Sequence, residues 1–235
     1  RMSASDVTSK LTDFRAGITA IDVDYVRPRL AASHLIVDAG RAAFVDTGTT
    51  HSLPNLLGAL AEKGVDPADV DWVLATHVHL DHAGGAGALM QALPNARCAV
   101  HPRGARHLAE PSKLITGSIA VYGEERYRAL YSEIIPIDSS RIFAPEDGAK
   151  ITLGKRELEL IHTPGHALHH YCVVDRKHER AHALSSPLAL RVAGYHKLLS
   201  RTHLHLQPLA RPPLLVAGLD GPGRADLHEV VGQFG

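Results

Sequence analysis

The chain has 235 residues, of which 45% are apolar and 21% charged, and its 25 basic and 25 acidic side chains cancel to a formal net charge of zero. That length suits one domain with a substantial core, and the balanced charge excludes a global basic field that would draw in nucleic acid or an anionic membrane. No apolar run approaches a membrane span, and the opening residues lack the pattern of a signal peptide. The two cysteines, Cys98 and Cys172, sit in apolar strand-like stretches and make no disulfide framework, so buried free thiols and a cytoplasmic location are expected.

Residues 18–25, 30–37 and 42–45 read as strands of an early meander that ends in Val45-Asp46-Thr47-Gly48. Residues 53–63 have helical spacing, with Leu56, Leu57 and Leu60 on one face and Gly64 as the stop. A short apolar strand over 72–75 follows, then a helix over 85–93 closed by Pro94. Another strand over 97–100 and a short helix over 102–108 come next. Residues 112–134 place Tyr122, Tyr127 and Tyr131 at roughly helical intervals and predict a helical cap. Residues 151–161 alternate around Gly154 as a hairpin, and 171–174 form a strand. Strands alternating with helices describe an α/β protein in a single domain over residues 1–235.

The run Thr76-His77-Val78-His79-Leu80-Asp81-His82 carries the most chemistry. Three imidazoles and a carboxylate directly after a strand are the donors that a borderline Lewis acid such as Zn²⁺ prefers. Side chains two apart on a strand share a face, so His77 and His79 project together. A turn into Gly84-Gly85, at the start of the following helix, would swing Asp81 and His82 toward the same cavity. A second signal lies 84 residues beyond His82, in Thr163-Pro164-Gly165-His166. There a strand meets a Pro-Gly turn that aims one imidazole from its tip.

These motifs, in this order and spacing over about residues 17–175, resemble the metallo-β-lactamase superfamily. The resemblance implies an αββα sandwich with metal at one edge. It implies that His77, His79 and His166 hold a first metal ion and that Asp81 and His82 contribute to a second. It also implies that Asp46 orients the ligand loop through hydrogen bonds; a plain turn aspartate before Thr47-Gly48 is the alternative.

One expected feature is missing. Family members carry a bridging aspartate about twenty residues after the second-motif histidine, and here that neighbourhood reads Ala183-Leu184-Ser185-Ser186-Pro187. The next acids are Asp220 and Asp226, and His203, His205 and His228 are loose candidates for a final histidine ligand. One zinc ion is therefore expected and a second is in doubt, with iron or manganese as other occupants. Residues 176–235 carry 8 basic and 4 acidic groups against 17 and 21 before them, with weak periodicity. Divergence and a shifted reading frame both give such an atypical C-terminal segment.

His169 and His170, close behind His166, are candidates to line the pocket. Tyr122 is a candidate to close over substrate, although an aromatic core face explains Tyr122 and Tyr127 as well. His101 reads as the end of a strand near the site. His34, His51, His107, His178, His182 and His196 read as core or surface residues.

The expected activity is hydrolysis of a carboxylic ester, thioester or lactone in a small-molecule substrate by metal-activated water, with Asp81 as the catalytic carboxylate. A degenerate, non-catalytic metal-binding member of the fold is the alternative. Di-iron relatives resemble this chain less, because they place glutamate where His79 stands and fuse a flavin domain. Nuclease relatives bring basic modules that this chain lacks.

Overall fold

The computed structural model describes residues 10–176 and the backbone of a final strand, Arg180–His182. A strand not read from the sequence, β1 (Leu11–Phe14), precedes the early meander, which is present as β2 (Ile18–Asp22), β3 (Ala32–Asp38) and β4 (Arg41–Val45), each strand antiparallel to the next. Ala39 and Gly40 join β3 to β4, both with positive φ (49° and 79°), the backbone twist that a two-residue hairpin turn requires.

After β4 the chain changes habit. A helix, α1 (Leu53–Glu62), crosses to β5 (Val70–Ala75), which runs parallel to β4. Pro54 sits in the first turn of α1, where its missing N–H costs nothing, and Leu56, Ala59 and Leu60 are buried. Leu57 is only partly buried at the edge of that face, a small departure from the expected stripe. Two short helices, α2 (Leu80–Ala83) and α3 (Ala86–Ala92), lead to β6 (Arg97–Val100), parallel to β5. Helix thus begins inside the histidine motif, four residues before the Gly84-Gly85 start read from sequence.

Next come α4 (Pro102–Ala109), α5 (Ser112–Tyr122) and α6 (Glu124–Tyr131), then β7 (Ile142–Phe143), parallel to β6. The helical cap is split by Gly123, whose φ of 77° ends α5 and opens α6. The seven strands make one sheet in sequence order. A second sheet is antiparallel throughout: β8 (Ala149–Leu153), β9 (Arg156–His162), β10 (Tyr171–Asp175) and β11 (Arg180–His182), in the order β11-β10-β9-β8. Gly154 turns the β8–β9 hairpin at φ 59°.

Layering follows from which faces are apolar. Leu35, Phe44, Val73, Cys98 and Val100 face the helices and meet Leu56, Leu60, Leu89 and Leu108. From the opposite face Ile36, Val45, Leu74 and Ala99 meet Ile151, Leu153, Leu158, Leu160 and Val173 of the second sheet. Strands covered on both faces need near-continuous apolar runs, which is why the strands over 72–75 and 97–100 are legible in the sequence. Among the described residues the order is helix, sheet, sheet. The readings that fall on residues 177–179 and 183–235, those of His178 and His196 among them, lie outside the described residues, and so does any outer helical layer drawn from them. Cys98 and Cys172 are both buried and free, and no helix among the described residues is long and apolar enough to cross a membrane.

Candidate metal centre

Because β4, β5 and β6 are parallel, their C-terminal ends open at one edge, the usual position of a binding site in such sheets. The residues that follow those ends are Asp46, Thr76 and His101. From the second sheet the loop 163–170, between β9 and β10, reaches the same edge. It is anchored there by Tyr171, whose N–H donates to the Thr76 carbonyl at 2.9 Å and whose hydroxyl donates to the Ala99 carbonyl at 2.9 Å.

The stretches 46–49 and 82–85 are zipped together. Thr47 N–H donates to the His82 carbonyl at 2.7 Å, and Gly85 N–H donates to the Gly48 carbonyl at 2.9 Å. A Cβ added at Gly85 would lie 2.6 Å from the Thr49 carbonyl oxygen, so the approach needs a residue without a side chain.

His77 is fully buried, His79 partly so, and His166 is exposed. One ligand atom of each lies within 4.8 Å of the others. His79 Nδ1 and His166 Nε2 are 3.1 Å apart. His77 Nδ1 contacts the Thr76 hydroxyl at 3.0 Å, while its Nε2 is buried with no hydrogen-bond partner. A buried, unpartnered ring nitrogen costs roughly 1–3 kcal/mol. A metal ion would satisfy it, and three imidazole nitrogens are the donor set for zinc. Nitrogens around one tetrahedral ion stand roughly 3.3 Å apart, so the His79–His166 pair already has that spacing. The residues present fit an ion.

Asp46 is buried and holds a left-handed backbone, φ 59°, a strained conformation that has to be held in place by its surroundings. Its carboxylate accepts from Thr76 N–H at 2.8 Å, from the Thr76 hydroxyl at 2.9 Å and from His82 Nδ1 at 2.9 Å. Asp81 stands apart: its side chain is 35% exposed and one oxygen lies 3.5 Å from His82 Nε2.

Burial, reinforced by neighbouring imidazoles, holds His77 well below the ordinary histidine value and brings His79 to about 3. Both are neutral at pH 7, with a lone pair to give. For His82 burial acts in the same sense, but the charge and hydrogen bond of Asp46 outweigh it and raise the group to about 9. His82 is thus an imidazolium in the metal-free protein, and an ion binding there has to displace its proton.

His169 and His170 both lie close to the cluster. His169 Nδ1 accepts from Val78 N–H at 3.4 Å, and its ring is 5.7 Å from His79. His170 is buried, 2.7 Å from the Thr163 hydroxyl, with its ring 5.3 Å from His77. Tyr122 belongs instead to an aromatic cluster, its ring 5.9 Å from Tyr131, packed with Leu80 and Tyr127. His101 caps α4 by accepting from Arg103 N–H at 3.1 Å, and its ring lies 4.1 Å from that of His162 at a 40° tilt. His203, His205, His228, Asp220 and Asp226 lie outside the described residues. Sequence reasoning passed over Thr76 and Thr163, each a hydroxyl against a site imidazole. Their signal was a threonine opening each motif, visible only once the partner across the fold is known.

A family model described as the metallo-beta-lactamase superfamily matches residues 26–183. Acyl-coenzyme A thioesterase MBLAC2 of Gallus gallus is 32% identical over 150 residues, which is 62% of this chain and 50% of that protein. Glyoxylase B2 of Dictyostelium discoideum is 27% identical over 123 residues, 50% of this chain and 35% of that protein. The chain spans half or less of the length of these two relatives. The crystal structure of metallo-β-lactamase MIM-1 from Novosphingobium pentaromativorans aligns at a TM-score of 0.52 and 25% identity, covering 70% of this chain and 55% of that one.

Proposed function

Since the chain belongs to the metallo-beta-lactamase superfamily, we propose that it is a zinc-dependent hydrolase of a thioester, a lactone or another carboxylic ester. The observation that carries this reading is the buried, unpartnered Nε2 of His77 beside His79 Nδ1 and His166 Nε2. His77, His79 and His166 would hold the ion. When bound, zinc supplies Lewis acidity that brings the pKa of water toward neutrality and polarises a carbonyl.

The chain's own residues do the rest. Asp46 and Thr76 hold ligand rings in place, and the half-exposed Asp81, which orients no ligand ring by a short hydrogen bond, orients the attacking water and takes its proton. His169 and His170, neutral because burial lowers them to about 4 and about 3, wall the site with uncharged rings. The thioester arm of the proposal draws on the two relatives, named as an acyl-coenzyme A thioesterase and a glyoxylase. A small-molecule substrate, a cytoplasmic location and no nucleic-acid or membrane partner complete it.

A second reading has one observation in its favour. No carboxylate occurs in Ala183–Pro187, where relatives supply a bridging aspartate, and a non-catalytic metal-binding protein would follow from that loss. Zinc-loaded protein assayed against a panel of acyl-thioesters, lactones and simple esters separates the two. Metal-dependent turnover of any of the three supports the hydrolase, and bound zinc without turnover supports the alternative.

A further inference from the structure

We propose that Thr76 is a positioning residue that fixes the tautomer of His77, so that Nε2 is the nitrogen offered to metal. A single hydroxyl proton decides the arrangement. The Thr76 hydroxyl has one hydrogen and lies 2.9 Å from each oxygen of the Asp46 carboxylate. An ionised carboxylate only accepts, so the hydroxyl hydrogen has to point toward Asp46. Were it turned to His77, two close oxygen–oxygen contacts would be left in a buried site with no proton between them, and that arrangement is repulsive.

With its hydrogen committed to Asp46, the Thr76 oxygen can only accept at the 3.0 Å contact with His77 Nδ1. His77 therefore carries its proton on Nδ1. Nε2 keeps its lone pair, and this is the buried nitrogen without a hydrogen-bond partner. The Thr76 main chain is held as firmly as the hydroxyl. Its N–H donates to Asp46 at 2.8 Å and its carbonyl accepts from Tyr171 N–H at 2.9 Å. A hydrogen bond to the far nitrogen of a ligating histidine sets ring orientation and basicity. Here a neutral hydroxyl does so, passing on the orientation of a carboxylate that does not itself touch the ring.

This inference rests on the metal reading of His77, so its test reads the ring and the ion separately. Long-range ¹H–¹⁵N NMR of the metal-free protein reports which nitrogen of His77 is protonated. Nδ1 is expected in the wild type and in Thr76→Ser, with the preference weakened in Thr76→Val. Zinc affinity, measured by competition with a chromogenic chelator, should fall by about 10–100-fold in Thr76→Val and return toward the wild-type value in Thr76→Ser. A merely structural role would lower the melting temperature of Thr76→Val and leave zinc affinity unchanged, and that result overturns the proposal. So does a wild type that binds zinc with His77 protonated on Nε2. If Thr76→Val does not fold, the wild-type tautomer and the Thr76→Ser affinity still decide. A wild type with no affinity for zinc overturns the metal reading itself.

Discussion

Asp46 and His82 are joined by a 2.9 Å hydrogen bond from Nδ1 to a carboxylate oxygen, across 36 residues of sequence. That bond ties the end of β4 to the histidine motif after β5, and the same carboxylate reaches His77 through Thr76. One buried acid therefore holds two rings of the same motif, His82 directly and His77 through the Thr76 hydroxyl. Asp46→Ala should leave His82 and Thr76 without their acceptor and cost roughly 3–5 kcal/mol, as breaking a buried pair does. Asp46→Asn keeps the shape and should cost less, about 1–3 kcal/mol. Chemical denaturation of the two metal-free variants gives the order, and equal costs would mean that Asp46 is a simple turn residue.

Gly85 tests the zipper between the two motifs. A methyl group there meets the Thr49 carbonyl oxygen at 2.6 Å, backbone that cannot swing aside. Gly85→Ala should destabilise by about 1–3 kcal/mol through overpacking and weaken zinc binding, because residues 46–49 move. Gly58→Ala, where nothing lies within 4 Å, is the control and should be neutral or stabilising. Similar melting temperatures for both variants would contradict the packing argument.

The metal-free protein should be acid-labile. Burial lowers His79 and His170 to about 3, and His101 and His169 to about 4, against an ordinary value of 6.5. Groups lowered in the folded state add stability that is complete above pH 6.5 and lost as pH falls through their folded values. His82, raised to about 9 by Asp46 against the effect of its burial, acts in the opposite sense. Its contribution is complete below pH 6.5 and lost as pH rises through 9. Urea midpoints of the metal-free protein should therefore peak near neutral pH and fall on both sides. A midpoint that climbs steadily toward acid would contradict the burial of these rings.

Metal content after exhaustive dialysis should be nearer one equivalent than two. His77, His79 and His166 form a complete three-nitrogen set. His82 has Nδ1 bound to Asp46, and Asp81 lies 3.5 Å from its Nε2. Two tightly held ions would show that a further ligand from residues 183–235 completes a second site.

Much of this architecture is legible in the chain because the strands that position the site are buried on both faces. Residues 72–75 and 97–100 announce themselves as short runs dominated by apolar residues. The edge strands do not: Leu11–Phe14 is mostly exposed and Ile142–Phe143 has two residues, so neither shows a period. The convergence of His77, His79 and His166 follows from strand-end spacing and a Pro-Gly turn, both local features. Thr76 was opaque, because its role depends on Asp46, 30 residues away and held at a positive φ that no propensity indicates. Tyr122 stayed open in the sequence because a helical aromatic spacing serves a packed cluster and a substrate lid equally well, and the structure places its ring 5.9 Å from that of Tyr131.

The central claim is that three named nitrogens hold one catalytic ion. Diffraction from crystals grown with zinc, recorded at the zinc absorption edge, locates that ion directly. An anomalous peak is expected about 2.0–2.1 Å from His77 Nε2, His79 Nδ1 and His166 Nε2, with a coordination position left open. A peak at other residues, or no peak near these three in zinc-replete crystals, would contradict it.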